Sequence, residues 1–258
     1  MKYNKIPAVY SDTGLEYPEI RDFVKTFDNV VWLKPKMNFK QVIEKYGYPF
    51  ISKVVSHCVK VAKNNPDGNV VKNLFNPNKR GQYGLYKWSF LIDAPFYIDS
   101  KCCDIMKKEP ISTYSKKSNR VAMMGIMASE SKLRQDKWLK YGCNAFDTKH
   151  PYSAPLSFWT EQDILGYIKK YNIKICSVYG DIIEENNKFK TTGCSRTGCM
   201  FCGYGCHLEK PGNGRFEMMK ETHPQIYNYI MKPIEDGGLN YKNVIDWLNE
   251  HGNLNIKY

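Results

Sequence analysis

The chain has 258 residues, 42% hydrophobic and 25% charged, with 38 Lys and Arg against 26 Asp and Glu for a formal net charge of +12. That is ample for a packed core in one large domain, or one domain with an appendage. No apolar run approaches the roughly 18 residues that span a bilayer. The N-terminal stretch MKYNKIPAVYSDTG lacks the apolar segment of a signal peptide, so a cytoplasmic protein without a membrane partner is expected. The positive excess favours polyanionic partners, namely nucleotides, RNA or DNA. A lysine-rich surface encoded by an AT-rich genome is the plainer source of the same charge, and the abundance of Lys, Asn, Ile and Tyr fits it.

In chain order, KIPAVYSD (5–12) reads as a short buried strand ending at a turn. PEIRDFVKTF (18–27) reads as a helix with Pro18 in its first turn. NVVWLKP (29–35) is the next strand, and FKQVIEKYG (39–47) a helix with Gly47 at its C-terminal end. Strands alternating with helices imply a parallel α/β sheet. Residues 64–86, rich in Asn, Gly and Lys, read as a loop or insertion. NRVAMMGIMASES (119–131) reads as a strand entering a polar turn. TEQDILGYIKKYN carries a near capping box at Thr160 and Asp163 and an apolar stripe at Ile164, Leu165 and Ile168. DIIEENNKFK (181–190) reads as a charged hairpin or loop. Two helices are expected around 216–232 and 240–251.

The sequence holds nine cysteines, four of them in GCSRTGCMFCGYGCH: Cys194, Cys199, Cys202 and Cys206. In a reducing compartment, clustered cysteines point to metal ligands or catalytic thiols more than to disulfides. The CxxC of Cys199 and Cys202 lets two thiolates reach one centre. Four thiolates suit tetrahedral zinc or an iron–sulfur cluster, and spacing alone does not choose. The interspersed glycines permit the tight turns such a loop needs. A second pair, Cys102 and Cys103, lies in SKCCDIMKKEP. Vicinal cysteines rarely bond to each other because the closed ring is strained. They are either one buried and one exposed thiol or partners of the CxxC. MASESKLR (127–134) places Ser129, Ser131 and Arg134 after an apolar strand, where parallel α/β folds bind ligands. Arg134 there is either a bidentate clamp for phosphate or sulfate or a solvated arginine. Asp12, Thr13 and Gly14 end the first strand.

Together these pieces resemble the phosphoadenosine phosphosulfate (PAPS) reductase family. SDTGLEYPEIRDF resembles its DTG-x-x-x-PE segment, and KCCDIMKKEP the CC-x-x-x-K-x-x-P motif of iron–sulfur adenylylsulfate reductases. GIMASESKLR is similar to G-x-R-x-x-[ED]-S-x-x-R, PLSFWTEQDILGYIKKYNI to PL-x-x-WT-x-x-D-[IV]-x-x-YI, and SRTGCMFC to SIGC-x-PC. The matches run in family order over residues 8–206. The resemblance implies an α/β fold with a parallel sheet of the adenine-nucleotide alpha-hydrolase-like (PP-loop) type. It also implies a cysteine-rich metal-binding loop, here followed by a helical tail. The expected division is 1–180, 181–212 and 213–258. It implies nucleotide or phosphosulfate contacts from Asp12, Thr13, Gly14, Ser129, Ser131, Arg134 and Lys107, with Lys132 a further basic group. By analogy with adenylylsulfate reductases, Cys102, Cys103, Cys199 and Cys202 would hold a [4Fe–4S] cluster. The compact set Cys194, Cys199, Cys202 and Cys206 is the rival, slightly preferred because it needs no distant docking. Zinc is the alternative metal.

Two departures from the family pattern stand out. No SGGKDS phosphate loop occurs, and the chain opens at what resembles the second strand, so the first strand is expected to be missing or supplied by a partner chain. The tail NEHGNLNIKY lacks the cysteine of the ECGLH ending found in assimilatory PAPS reductases. The resemblance therefore implies reduction of an adenine sulfonucleotide, or sulfur transfer to a nucleic acid as in the sulfurtransferases of DNA phosphorothioation. The alternative is a non-catalytic member, of phage or mobile-element type, that binds nucleic acid or a protein and keeps its metal for stability.

Overall fold

The computed structural model describes residues 6–76 and 85–258. Its elements run β1 (Ala8–Ser11), α1 (Pro18–Lys25), β2 (Val30–Leu33), α2 (Phe39–Tyr46), β3 (Phe50–Ile51), α3 (Lys53–Asn64) and α4 (Asn69–Leu74). A 3-10 segment, Leu85–Asp93, and a π-type turn, Asp104–Lys108, lead into α5 (Glu109–Ser118). Then follow β4 (Ala122–Met123), α6 (Lys132–Tyr141), β5 (Asn144–Ala145), β6 (Tyr152–Ser153) and α7 (Glu161–Lys170). The chain closes with β7 (Ile182–Glu185), β8 (Lys188–Thr191), β9 (Gly203–Tyr204), α8 (Arg215–Thr222), α9 (Pro224–Met231) and α10 (Tyr241–Gly252).

Local chemistry accounts for most of these boundaries. Pro18 sits in the first turn of α1, where its missing N–H costs nothing. Asn38 and Gln41 form a reciprocal capping box on α2, and Thr160 and Asp163 form another on α7. Helix α2 stops at Gly47, whose φ of +106° and a would-be Cβ 2.3 Å from the Tyr97 carbonyl carbon admit only glycine. The helix anticipated over 216–232 is two helices broken at His223. Pro224 disfavours helical geometry in the residue before it and starts a new first turn. The stretch 64–86, read as a loop, contains the end of α3 and all of α4, and its residues 77–84 lie outside the described residues.

The expected parallel pairing is present in short pieces. β4 pairs β6 in parallel, Ala122 facing Tyr152, and β3 pairs β9 in parallel, Phe50 facing Gly203. β5 pairs β6 antiparallel, and β7–β8 is an antiparallel hairpin turned by Asn186 and Asn187 at positive φ. The fold is thus mixed α/β. No helix among the described residues is long and apolar enough to cross a membrane.

The chain forms two compact units. The first comprises residues 1–10, 17–33 and 110–197, the second 11–16, 34–109 and 198–258. Their interiors differ in kind. All twelve of the largest fully buried side chains, among them Tyr241, Phe50, Phe216, Ile245 and Leu248, belong to the second unit. Tyr241 stands among the rings of Tyr48, Phe50 and Phe216, and its hydroxyl donates to the Phe201 carbonyl. Among the described residues, the first unit buries only Ala145, Ala154, Leu165 and Cys176 of its apolar side chains.

Leu248→Ala, which empties a fully buried site, is therefore expected to cost about 2–5 kcal/mol. Leu133→Ala, at a side chain 67% exposed in the first unit, should stay within about 0.5 kcal/mol. Chemical denaturation of the two variants checks the contrast.

Candidate metal centre

Two elements far apart in sequence bring cysteines into the second unit. The first is the CC pair at the mouth of the π-type turn, where Cys102 is buried, Cys103 half-buried and their sulfurs are 4.0 Å apart. The wider turn, closed by the Glu109 N–H on the Asp104 carbonyl, belongs to a class of helix defect common at functional sites. The second element is the CxxC turn, in which the Cys202 N–H donates to the Cys199 carbonyl at 3.0 Å. Gly203 follows at once because β9 lies against Phe50: a Cβ there would meet the Phe50 ring at 2.5 Å. On the facing strand, buried Ile51 holds a φ of +68°, a strained conformation for a β-branched residue. The Gly205 N–H donates to its carbonyl at 2.9 Å.

The turn Ser11–Glu16 joins these elements. Ser11 Oγ donates to the Met106 carbonyl at 2.9 Å, and the Met200 N–H donates to the Leu15 carbonyl at 2.7 Å. Within it Thr13 is buried; its hydroxyl donates to Glu16 and accepts from the Leu15 N–H. Gly14 is exposed and holds a φ of +71°, which favours glycine, and Asp12 is half-buried. Glu16 in turn pairs with Lys107 at 3.2 Å.

The four thiols share one electrostatic neighbourhood. Cys102 is pushed far up by its hydrogen bond to Cys103, by burial, and by the nearby Cys103, Cys202 and Cys199 sulfurs. Cys103 is held well below an ordinary thiol, first by the Cys102 hydrogen bond and then, against burial, by the ammonium groups of Lys53 and Lys107. Burial raises Cys199 to about 11 although Lys107 opposes it, and burial raises Cys202 as well. Burial also works to discharge Lys107, but Cys199 and Glu16 more than offset it, so that cation is retained. Among the described residues, no three His, Cys, Asp or Glu side chains converge closely enough to hold a single metal ion.

Cys206 is buried and donates its thiol hydrogen to the Gly203 carbonyl at 3.0 Å, the bond of a structural thiol. Behind it stands a pair the sequence reading missed. Arg215 donates Nε to Glu209 at 2.7 Å, pairs its Nη2 with the same carboxylate at 2.6 Å, and donates Nη1 to the Cys202 carbonyl at 2.5 Å. A cation in the first turn of α8 opposes the helix dipole. That misplaced charge was the available signal that Arg215 had a tertiary partner.

The remaining expected residues lie in the first unit. Ser131 caps α6, accepting from the Arg134 N–H at 3.3 Å, and Ser129 Oγ donates to the Trp159 carbonyl at 3.5 Å. Arg134 forms an ion pair with Glu130, which also faces Arg196 at 3.7 Å. Lys132 pairs with Asp136 at 3.0 Å. Cys194 is fixed by its N–H on the Val178 carbonyl at 2.9 Å and by Thr191 Oγ1 donating to its own carbonyl at 3.2 Å.

The phosphoadenosine phosphosulfate reductase domain model matches residues 26–203, which bears out the resemblance read from the motifs. The chain is also similar to an uncharacterized protein of Methanocaldococcus jannaschii, MJ0973, with 22% identity over 228 residues. That match covers 86% of this chain and 40% of the relative, so the chain spans less than half the length of the curated relative it matches.

In the metal-free, reduced protein, Cys103 should be the first of these four thiols alkylated by iodoacetamide. Its rate should rise through an inflection below the ordinary thiol value of about 8.5. Peptide mapping across a pH series checks this, and Lys107→Met should move the inflection upward.

Proposed function

Because the chain belongs to the phosphoadenosine phosphosulfate reductase family, we propose that it performs sulfonucleotide reduction, or sulfur transfer to a nucleic acid, at a [4Fe–4S] centre held by Cys102, Cys103, Cys199 and Cys202. The observation that carries this reading is that Cys102, hydrogen-bonded to Cys103, also lies in the field of Cys199 and Cys202, from an element nearly a hundred residues away, with the Lys107 cation beside Cys199 and Cys103. A single zinc would draw its sulfurs to about 3.8 Å from one another. In a [4Fe–4S] cluster each of the four thiolates would instead take its own iron. Cys206, already bonded to the Gly203 carbonyl, is the weaker claimant to a place in the set.

Such a cluster supplies electrons, or an iron that accepts sulfur. The chain's own residues supply the rest. Lys107, paired with Glu16 at 3.2 Å, keeps its charge beside Cys199, and Lys53, which faces Asp104 at 3.6 Å, adds positive charge beside Cys103, so an anionic sulfonate or phosphate would share these cations with their carboxylates. The buried thiols lose their protons on metal binding, so loading weakens as pH falls. Glu16 and the Thr13 hydroxyl keep the Lys107 side of the site in place.

One set of observations favours the second reading, a family member that binds without catalysing. Arg134 is spent on Glu130, Ser131 on a helix cap and Thr13 on its own turn, so three residues expected to meet an anion are engaged internally. A partner chain supplying a further strand and phosphate loop would reconcile the two readings. β4 has one neighbour in its sheet among the described residues, and Val121 and Met123 beside that edge are exposed.

Anaerobic purification with iron, sulfide and zinc quantified, followed by turnover of adenylylsulfate and PAPS, tests the proposal. About four irons and four sulfides per chain, with sulfite released from either nucleotide, is the expected result. One zinc without iron, and no sulfite under any reductant, would favour the binding protein.

A further inference from the structure

The first unit carries a feature that the sulfur chemistry does not use. Along one face of α7 an open groove of ≈ 520 Å³ is lined by Phe158, Trp159, Asp163, Tyr167, Lys170 and Tyr171. Its size falls in the range of ligand sites. Asp163, Tyr167, Lys170 and Tyr171 are spaced as i, i+4, i+7 and i+8, so they share one helical face. The rings form a continuous run: Phe158 to Trp159 at 6.5 Å, Trp159 to Tyr167 at 5.4 Å, and Tyr167 to Tyr171 at 4.5 Å between centroids. Large aromatics in such a run are normally packed away from water. Here Phe158 is 62%, Tyr167 46% and Tyr171 57% exposed.

Charge singles out an occupant. Lys170 holds its ammonium over the Tyr171 ring at 5.4 Å, and Lys169 over Phe189 at 5.5 Å, so both cations lie on ring faces rather than against carboxylates. The acid in the groove, Asp163, is turned to the helix N-terminus, where it accepts from the Thr160 N–H at 2.8 Å and its hydroxyl at 2.7 Å. The groove therefore offers ring faces and positive charge in a chain of net charge +12. A neutral apolar helix from a protein partner would leave those cations unused. Unpaired bases followed by phosphates use both features.

We propose that the α7 groove is a stacking platform for single-stranded nucleic acid, taking bases on Tyr167, Tyr171 and Trp159 with the phosphates passing Lys169 and Lys170. The platform is independent of the metal centre, so its failure would leave the sulfur chemistry standing, and the reverse also holds.

The test is fluorescence anisotropy of labelled oligothymidylate and oligouridylate on the purified full chain, with a duplex of mixed sequence alongside. Single strands should bind more tightly than the duplex. The paired substitution Tyr167→Ala with Tyr171→Ala should weaken single-strand binding by about 30-fold or more, as loss of two stacked bases does, while Tyr167→Phe with Tyr171→Phe keeps it. Tyr86→Ala, an exposed tyrosine of the second unit, should change nothing. These tyrosines are exposed, and circular dichroism of each variant checks that its fold is retained. Single-strand binding unaffected by the paired alanine variant, equal loss in the duplex, or no binding to any oligonucleotide at low salt would each overturn the proposal. Capture of an aromatic or proline-rich peptide in the groove instead, lost in the same variant, would overturn it in favour of a protein partner.

Discussion

Two hydrogen bonds from one six-residue turn fix the geometry on which the sulfur site depends. Ser11 holds the Met106 carbonyl and Leu15 receives the Met200 N–H, so the turn grips the CC element with one end and the CxxC element with the other. Neither cysteine pair could find the other from local sequence preference. The grip is made by backbone and a hydroxyl, groups with fixed directions, and both donors face carbonyls in a largely buried setting where an unmade bond costs about 1–3 kcal/mol. The same turn presents Glu16 to Lys107, so the charge balance of the site follows from its scaffold.

Positive charge and buried sulfur then determine each other. Burial alone would keep every thiol protonated and would discharge a lysine. Together, Lys107 keeps its proton because Cys199 and the Glu16 carboxylate offset its burial, and Cys103 is lowered first by the Cys102 hydrogen bond and then by Lys53 and Lys107. Arg215 adds a second cation from behind, locked by Glu209 and bonded to the Cys202 carbonyl. The thiols thus lie between two fixed cations, each paired with a carboxylate.

Much of this was legible in the sequence, for identifiable reasons. Caps and turn residues act locally, so Pro18, Gly47 and the Thr160–Asp163 box marked their helices correctly. The α8–α9 break was missed because apolar spacing ran across Pro224 and outweighed its backbone effect. The DTG turn stood out as a motif, but its tethers to Met106 and Met200 are tertiary and leave no periodic trace. Arg134 looked free because its partner, Glu130, sits one helical turn back across a 3-10 segment rather than on α6. The aromatic face of α7 stands apart from the stripe of Ile164, Leu165 and Ile168 that the sequence singles out. Only its accessibility separates a core stripe from a platform.

The measurement that bears most directly on the account is the iron content of three single variants prepared anaerobically: Cys103→Ser, Cys194→Ser and Cys206→Ser. The wider thiol set predicts that Cys103→Ser loses the cluster while Cys194→Ser and Cys206→Ser retain about four irons per chain. Retention of iron in Cys103→Ser with loss in the other two would contradict it and place the centre on the compact loop.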